Sequence, residues 1–197
     1  MEKTMNRSPL SLPSPALPAR RRGRGLAVLS ATAVALLGGR DALAAAAKAA
    51  ARQHAAAVRI LNTALAAEYE AVAAYQVGAE SGLLGSGALP LARQFQGHHK
   101  EHAQAIAAAV QKMGGTPVQA KAQYSFPTDK LKAEADVLRF AAGLERGAVS
   151  AYLGAVPLFA DRNLAQVAAS ILGDEAMHWA VLRQALGEAP VPSAFMS

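Results

Sequence analysis

Glu68 is followed seven residues later by Tyr75, and Glu145 is followed seven residues later by Tyr152. Between and after them come His99 with His102, and Glu175 with His178, each pair three apart. On a helix, positions three apart lie on neighbouring turns of one face. A carboxylate and an imidazole so placed reach one metal ion or a closely spaced pair. One Glu from each of two helices, with a Glu-x-x-His from each of two others, makes a di-iron or di-manganese carboxylate site. Seven residues is two turns, about 10 Å of axis. Tyr75 and Tyr152 are therefore too far along to bind the same ion as the Glu before them. They suit hydrogen bonds to ligands from a facing helix, which orient those ligands.

The pattern occurs twice. Glu68 and Glu145 lie 77 residues apart, as do Tyr75 and Tyr152, Leu61 and Leu138, and Ala71 and Ala148. His99 and Glu175 lie 76 apart, as do His102 and His178. Two helical hairpins related by duplication, with one residue gained or lost, explain both offsets.

Four helices must carry these residues. The first is expected over about 45–81, with an inward stripe of Val58, Leu61, Leu65, Glu68, Val72 and Tyr75. The Gly- and Pro-bearing segment 82–90 turns the chain, and Pro90 suits the first turn of the second helix, which runs to about Met113. Its stripe is Leu91, Phe95, His99, His102, Ile106 and Val110. Gly114-Gly115-Thr116-Pro117 stops it, and the longer link to Phe126-Pro127 suits a crossover. Thr128 or Asp129 is expected to cap the third helix, with stripe Leu138, Ala142, Glu145, Val149 and Tyr152, which Pro157 ends or kinks. Asp161 or Asn163 opens the fourth, with Leu164, Ala168, Ile171, Glu175, His178 and Leu182, and Gly187 closes it. Short link, long link, short link is the connectivity of an all-α, four-helix bundle of two hairpins joined by one crossover.

Composition agrees with helices. Of the 197 residues, 49 are alanine, the best helix former, and only 5% are aromatic. Cysteine is absent, which excludes disulfides, thiol catalysis and cysteine-held clusters. No apolar run reaches 18 residues.

The formal charge of +6 is concentrated at the N-terminus. Met1 to Ala19 is rich in Ser and Pro and is expected to be disordered. Arg20, Arg21, Arg22 and Arg24 precede the apolar run 26–37, and Ala42-Leu43-Ala44 follows. A charged region, a short apolar region and a small-residue cleavage site make a secretory signal peptide, with Ala42 and Ala44 flanking the cleavage position. The arginine cluster points to the twin-arginine route, although Gly23 and Arg24 stand where a polar and an apolar residue are usual. Three regions result: an export leader over 1–44, a helical bundle over 45–188 and a short tail over 189–197. Cleavage after Ala44 removes seven of 20 basic and two of 14 acidic side chains, leaving a net charge of +1 on 153 residues. A nucleic-acid partner is not indicated at that balance. The expected location is the periplasm or another site outside the cytoplasmic membrane, reached through the export machinery.

The Glu-x6-Tyr pairs and Glu175-x-x-His178, in this order on four helices, resemble the ferritin-like superfamily. The run Phe95-Gln96-Gly97-His98-His99-Lys100-Glu101-His102, ending in Met113-Gly114-Gly115-Thr116-Pro117 behind an export leader, is similar to secreted bacterial ferritin-like proteins. The resemblance covers roughly residues 61–186. It implies the ferritin-like fold and a capacity for metal, with Glu68, His99, His102, Glu145, Glu175 and His178 as ligands and Tyr75 and Tyr152 behind them. It does not imply iron storage. One position departs: the pattern's Glu on the second helix is His99 here. Three carboxylates and three imidazoles neutralise a 2+/2+ pair less well than four carboxylates. Imidazole also favours zinc, copper, iron or nickel, so a mononuclear or mixed site stays open.

The surrounding polar residues have plainer readings. His98 is placed at the rim, off the stripe, and His54 is packed or partly exposed. Glu70, Glu80 and Glu134 are solvated, and Trp179 and Met177 are packing residues. The convergent set is different, because several buried charges without partners would be costly. The expected function is oxidation of Fe(II) by oxygen or peroxide at two iron ions. Manganese, zinc or copper are the alternative metals. The rivals are a non-catalytic helical scaffold of the envelope, its polar core self-paired or hydrated, serving stress protection or binding a partner, and a metal carrier without turnover. A homo-oligomer is compatible with all three.

Overall fold

The computed structural model describes the backbone of residues 31–196 and the side chains of residues 39–196. The export-signal arginines Arg20, Arg21 and Arg22 lie outside the described residues, as do residues 26–30 of the apolar run behind them. Among the described residues there are four α-helices and no strand: α1 (Ala31–Glu80), α2 (Ala88–Lys112), α3 (Glu134–Ala155) and α4 (Arg162–Ala185). The chain divides into two units at residues 44 and 45, and the bundle lies in the second.

Helix extends upstream of the expected start: α1 is counted from Ala31, but Gly39, with φ of 68°, breaks the helical backbone, so the stretch continuous with the bundle helix begins after it. The expected cleavage residues Ala42 and Ala44 lie on this helix. The start of α3 also needs correcting. Thr128 opens a separate 3-10 turn, Thr128–Lys130, and α3 begins at Glu134. Asp136 decides that boundary, since its Oδ2 accepts from the backbone N–H groups of Lys132 and Ala133, each at 3.0 Å. At α4 the Asp161 carboxylate caps the first turn, accepting from Asn163 N at 2.7 Å and Leu164 N at 3.3 Å. Gly187, with φ of 74°, follows the last turn.

Two apolar clusters bracket the middle of the bundle. One contains Leu61, Leu65, Ile106, Val110 and Ile171. The other contains Tyr75, Phe95, Leu138, Ala142 and Leu182. Each helix therefore passes from one cluster to the other, with α1 and α4 running one way and α2 and α3 the other. The parallel pair α2 and α3 requires the long crossover, which must return the chain along the full bundle. Asn62 ties that crossover to α1, donating to Thr116 O at 3.0 Å and accepting from Val118 N at 2.9 Å. Gly115 admits no side chain there, because a Cβ would meet Val58 Cγ1 at 2.8 Å. Glu68, His99, Glu145, Glu175 and His178 all fall in the layer between the clusters.

Candidate metal centre

Helical phase turns Glu68 (α1), His99 (α2), Glu145 (α3), and Glu175 and His178 (α4) inward, and each is 3% exposed or less. His102 joins them from α2, less deeply buried, with its side chain 13% exposed. His99 occupies the centre. Its Nδ1 lies 2.9 Å from Glu68 Oε2 and 3.5 Å from Glu175 Oε1, and its Nε2 lies 3.3 Å from Glu145 Oε1. His102 Nδ1 lies 3.1 Å from Glu175 Oε1 and 3.6 Å from Glu68 Oε2. His178 Nδ1 lies 3.6 Å from both Glu145 Oε2 and Glu175 Oε2.

The tyrosines act across the bundle. Tyr75 on α1 donates to Glu145 Oε1 on α3, and Tyr152 on α3 donates to Glu68 Oε1 on α1. Antiparallel α1 and α3 make the exchange reciprocal. Each tyrosine stands two turns from the glutamate of its own helix and level with that of the other. Burial, reinforced by the adjacent carboxylate, raises the pKa of both phenols well above the ordinary 10, so they stay protonated as donors.

Electrostatics ties the layer together. Burial disfavours the His99 cation, but contacts with Glu145 and Glu68 and the charge of Glu175 outweigh it and raise the pKa from 6.5 to about 10. The same contest raises His102 to about 9, through Glu175 and Glu68. It also raises His178 to about 9, through Glu145, Glu175 and Asp174. Burial would raise Glu68 and Glu145, but the imidazoles overrule it and both are lowered. Glu175 is raised, because burial and the Glu145 charge exceed the help from His102 and His178.

Five buried atoms have no hydrogen-bond partner among the described residues: Glu145 Oε2, Glu175 Oε1, Glu175 Oε2, His102 Nδ1 and His178 Nδ1. His178 Nδ1 stands 3.6 Å from Glu145 Oε2 and Glu175 Oε2, too far to hydrogen-bond, and His102 Nδ1 and Glu175 Oε1, at 3.1 Å, lack hydrogen-bond geometry. Buried polar atoms are nearly always satisfied, so five orphans aimed at one layer fit a shared cation. The donors form two overlapping groups: Glu68, His99, His102 and Glu175; and His99, Glu145, Glu175 and His178. Within each group one atom per residue lies within 4.8 Å of all the others. Carboxylate oxygen with imidazole nitrogen suits iron, manganese, zinc and copper.

The layer is reached from one side by a cleft of about 850 Å³ between α1 and α3, lined by Ala64, Ala67, Ala71, Gly147, Ala148 and Ala151 and reaching Glu68, His99, Glu145 and Tyr152.

The sequence reading missed Asp174 and put His98 at the rim. His98 is half-buried, with Nδ1 at 2.9 Å from His178 Nε2 and 3.1 Å from Asp174 Oδ2. The repeat contained the signal: Asp174 lies 76 residues after His98, the offset that pairs His99 with Glu175. Met177 is 60% exposed and is not a packing residue. His54 lies outside the site, its Nε2 2.8 Å from Met113 O. Glu134, expected to be solvated, accepts from Gly85 N at 2.5 Å.

Comparison with known families matches residues 56–188, more than half of the chain, to the ferritin-like domain. The chain belongs to the ferritin-like domain family. Three solved structures share the fold at low identity. A conserved hypothetical protein from Mycobacterium tuberculosis superposes with a TM-score of 0.62 at 23% identity, covering 72% of this chain and 99% of that one. Ferritin-like, diiron-carboxylate proteins from Bacillus anthracis give 0.59 at 21%, covering 68% and 97%. A dodecameric thioferritin, the bacterioferritin-related protein of Bacteroides fragilis, gives 0.58 at 22%, covering 68% and 86%. No curated protein sequence matches this ferritin-like chain.

Proposed function

We propose that this ferritin-like protein is exported and holds two iron ions among Glu68, His99, His102, Glu145, Glu175 and His178, where Fe(II) is oxidised by oxygen or peroxide. The observation that carries the reading is the set of five unpartnered buried atoms within one carboxylate–imidazole layer. Bound iron would supply the one-electron chemistry. The protein's part is to hold charge and geometry. Glu68, Glu145 and Glu175 offset the cationic charge, and His102 and His178 present Nδ1 from either side. Tyr75 and Tyr152 fix the orientation of Glu145 and Glu68. The cleft between α1 and α3 admits a small oxidant to the layer. The diiron-carboxylate description of the Bacillus anthracis neighbours supports iron, and the dodecamer of the Bacteroides fragilis neighbour supports a homo-oligomer. The arginine cluster, the apolar run 26–37 and the Ala42-Leu43-Ala44 triplet in the sequence support export, by the twin-arginine route.

A second reading has its own observation. The imidazoles of His99, His102 and His178 lie 2.9–3.6 Å from the carboxylates of Glu68, Glu145 and Glu175, and their raised pKa values favour cations that pair with those carboxylates without metal. That is a self-paired scaffold. Metal analysis of the mature protein taken from its exported location separates the two, followed by oxygen consumption with added Fe(II). Native protein free of metal that consumes no oxygen with Fe(II) selects the scaffold.

A further inference from the structure

The buried ligand set leaves Asp174 and His98 without a role. Asp174 Oδ2 lies 3.1 Å from His98 Nδ1, 3.3 Å from His102 Nε2 and 3.2 Å from His178 Nε2. One carboxylate oxygen is thus surrounded by three imidazole nitrogens from two helices. His102 and His178 each face two ways, with Nδ1 toward the inner glutamates and Nε2 toward Asp174. Exposure grades across them. The His98 and Asp174 side chains are 34% and 23% exposed, whereas His178 and Glu175 are 2% and 0%. The outer cluster therefore stands between solvent and the buried layer, with His102 and His178 as the wall shared by both.

We propose that His98, Asp174 and His178 Nε2, with His102 Nε2 beside Asp174, form an outer docking site for a divalent cation of the Fe(II), Co(II) and Zn(II) class, through which metal enters the buried centre. The entry role rests on the reading that the buried layer binds metal. The donor set, imidazole nitrogens with one carboxylate, matches that class and not the oxygen-only ligands preferred by magnesium or calcium. A neutral imidazole has one lone pair, so His178 ligates through Nε2 or through Nδ1 but not both. An ion held outside must therefore release the shared rings before they serve an ion inside. The outer site fills first and empties as the inner one fills. With the outer site empty, Asp174 accepts from the Nε2–H groups and keeps Nδ1 aimed inward. A role for Asp174 in orienting the rings alone would leave His98 superfluous.

The probe is Co(II), used on the full chain. The Glu68→Gln, Glu145→Gln double variant removes two inner carboxylates and none of the outer donors. Crystals of it soaked in Co(II) are expected to show an anomalous peak between His98 and Asp174. In the wild-type chain, stopped-flow Co(II) uptake is expected to slow at least tenfold on His98→Ala, with the final number of inner ions unchanged. A double variant with no Co(II) beside His98 overturns the outer site. Should that variant fail to fold, the wild-type kinetics decide alone, and an unchanged uptake rate in His98→Ala overturns the proposal. Equilibrium Co(II) binding by the wild-type chain tests the buried centre separately. An outer ion in the double variant with no inner ion in the wild type keeps the outer site and removes both the buried centre and the entry role. Inner ions in the wild type with none beside His98 in the variant do the reverse.

Discussion

The Tyr75 hydroxyl on α1 donates to Glu145 on α3, and the glutamate of α1 receives the same bond in return from Tyr152. The exchange joins the two halves of the repeat through a buried layer. It also gives each glutamate a donor that burial keeps protonated.

Tyr75→Phe removes that donor and leaves Glu145 Oε1 with His99 Nε2 at 3.3 Å. Loss of one hydrogen bond to a charged group costs about 1.5–3 kcal/mol. Loss of a group that orients a ligand typically lowers metal affinity about 10–100-fold. Urea unfolding of the metal-free variant should show the first effect and a Zn(II) titration the second. Unchanged values in both would mean that the hydroxyl does not orient Glu145.

Why the sequence disclosed the buried layer but not all its contacts follows from helix geometry. Leu61, Leu65, Glu68 and Tyr75 share a face because their spacing alone puts them there, and all four are buried. His98 and His99 differ by about 100° around α2, so phase separates which is deeply buried. Phase does not give a rotamer, and it could not show that His98 bends toward Asp174. Nor could it show that His178 faces the glutamates with Nδ1 and Asp174 with Nε2. The start of α3 escapes the sequence for a related reason. Several short polar residues compete to cap a helix, and the contacts of Asp136 decide among them.

Stability should depend on pH in a direction set by the imidazoles. Their folded pKa values, about 10 for His99 and about 9 for His102 and His178, lie above the ordinary 6.5. Their contribution is complete below pH 6.5 and is lost as pH rises through about 9 to 10. Glu68 and Glu145 are lowered, so their contribution is present above 4.5 and lost on acidification. Glu175, raised, draws the optimum toward the acid end. The Tm of the metal-free protein should therefore fall from pH 6.5 to pH 10. Metal requires neutral imidazole, so the increment in Tm on adding Zn(II) should grow over the same window, where a ligand at 100 times its Kd contributes about 2.7 kcal/mol. Thermal melts across pH with and without Zn(II) check both signs. A metal-free Tm that rises toward pH 10 would refute the pairing.

Export is expected with cleavage after Ala44, leaving a mature chain that begins at Ala45 within α1. N-terminal sequencing of the protein outside the cytoplasm checks it, and a chain found only in the cytoplasm with Met1 intact contradicts it. Replacing Arg20, Arg21 and Arg22 together with Lys keeps the charge. Export should stop if the twin-arginine route is used and continue if the general route is.

His99→Glu tests the residue that departs from the ferritin-like pattern. His99 stands between the two overlapping ligand groups, Nδ1 toward Glu68 and Nε2 toward Glu145. A neutral imidazole there has one lone pair and serves one ion, whereas a carboxylate has two oxygens and bridges a pair. The substitution also adds the fourth negative charge that a 2+/2+ pair lacks. The variant should therefore hold two ions per chain at least as well as the natural protein. Its preference should shift from copper and zinc toward iron and manganese. His102→Ala and His178→Ala should each lower occupancy, because each removes one of the unpartnered Nδ1 atoms. Equilibration with an equimolar mixture of the four metals, followed by elemental analysis, reads both stoichiometry and selectivity. An unchanged metal ratio in His99→Glu would show that His99 does not stand between two bound ions. Unchanged occupancy in the His102 and His178 variants would remove those residues from the ligand set.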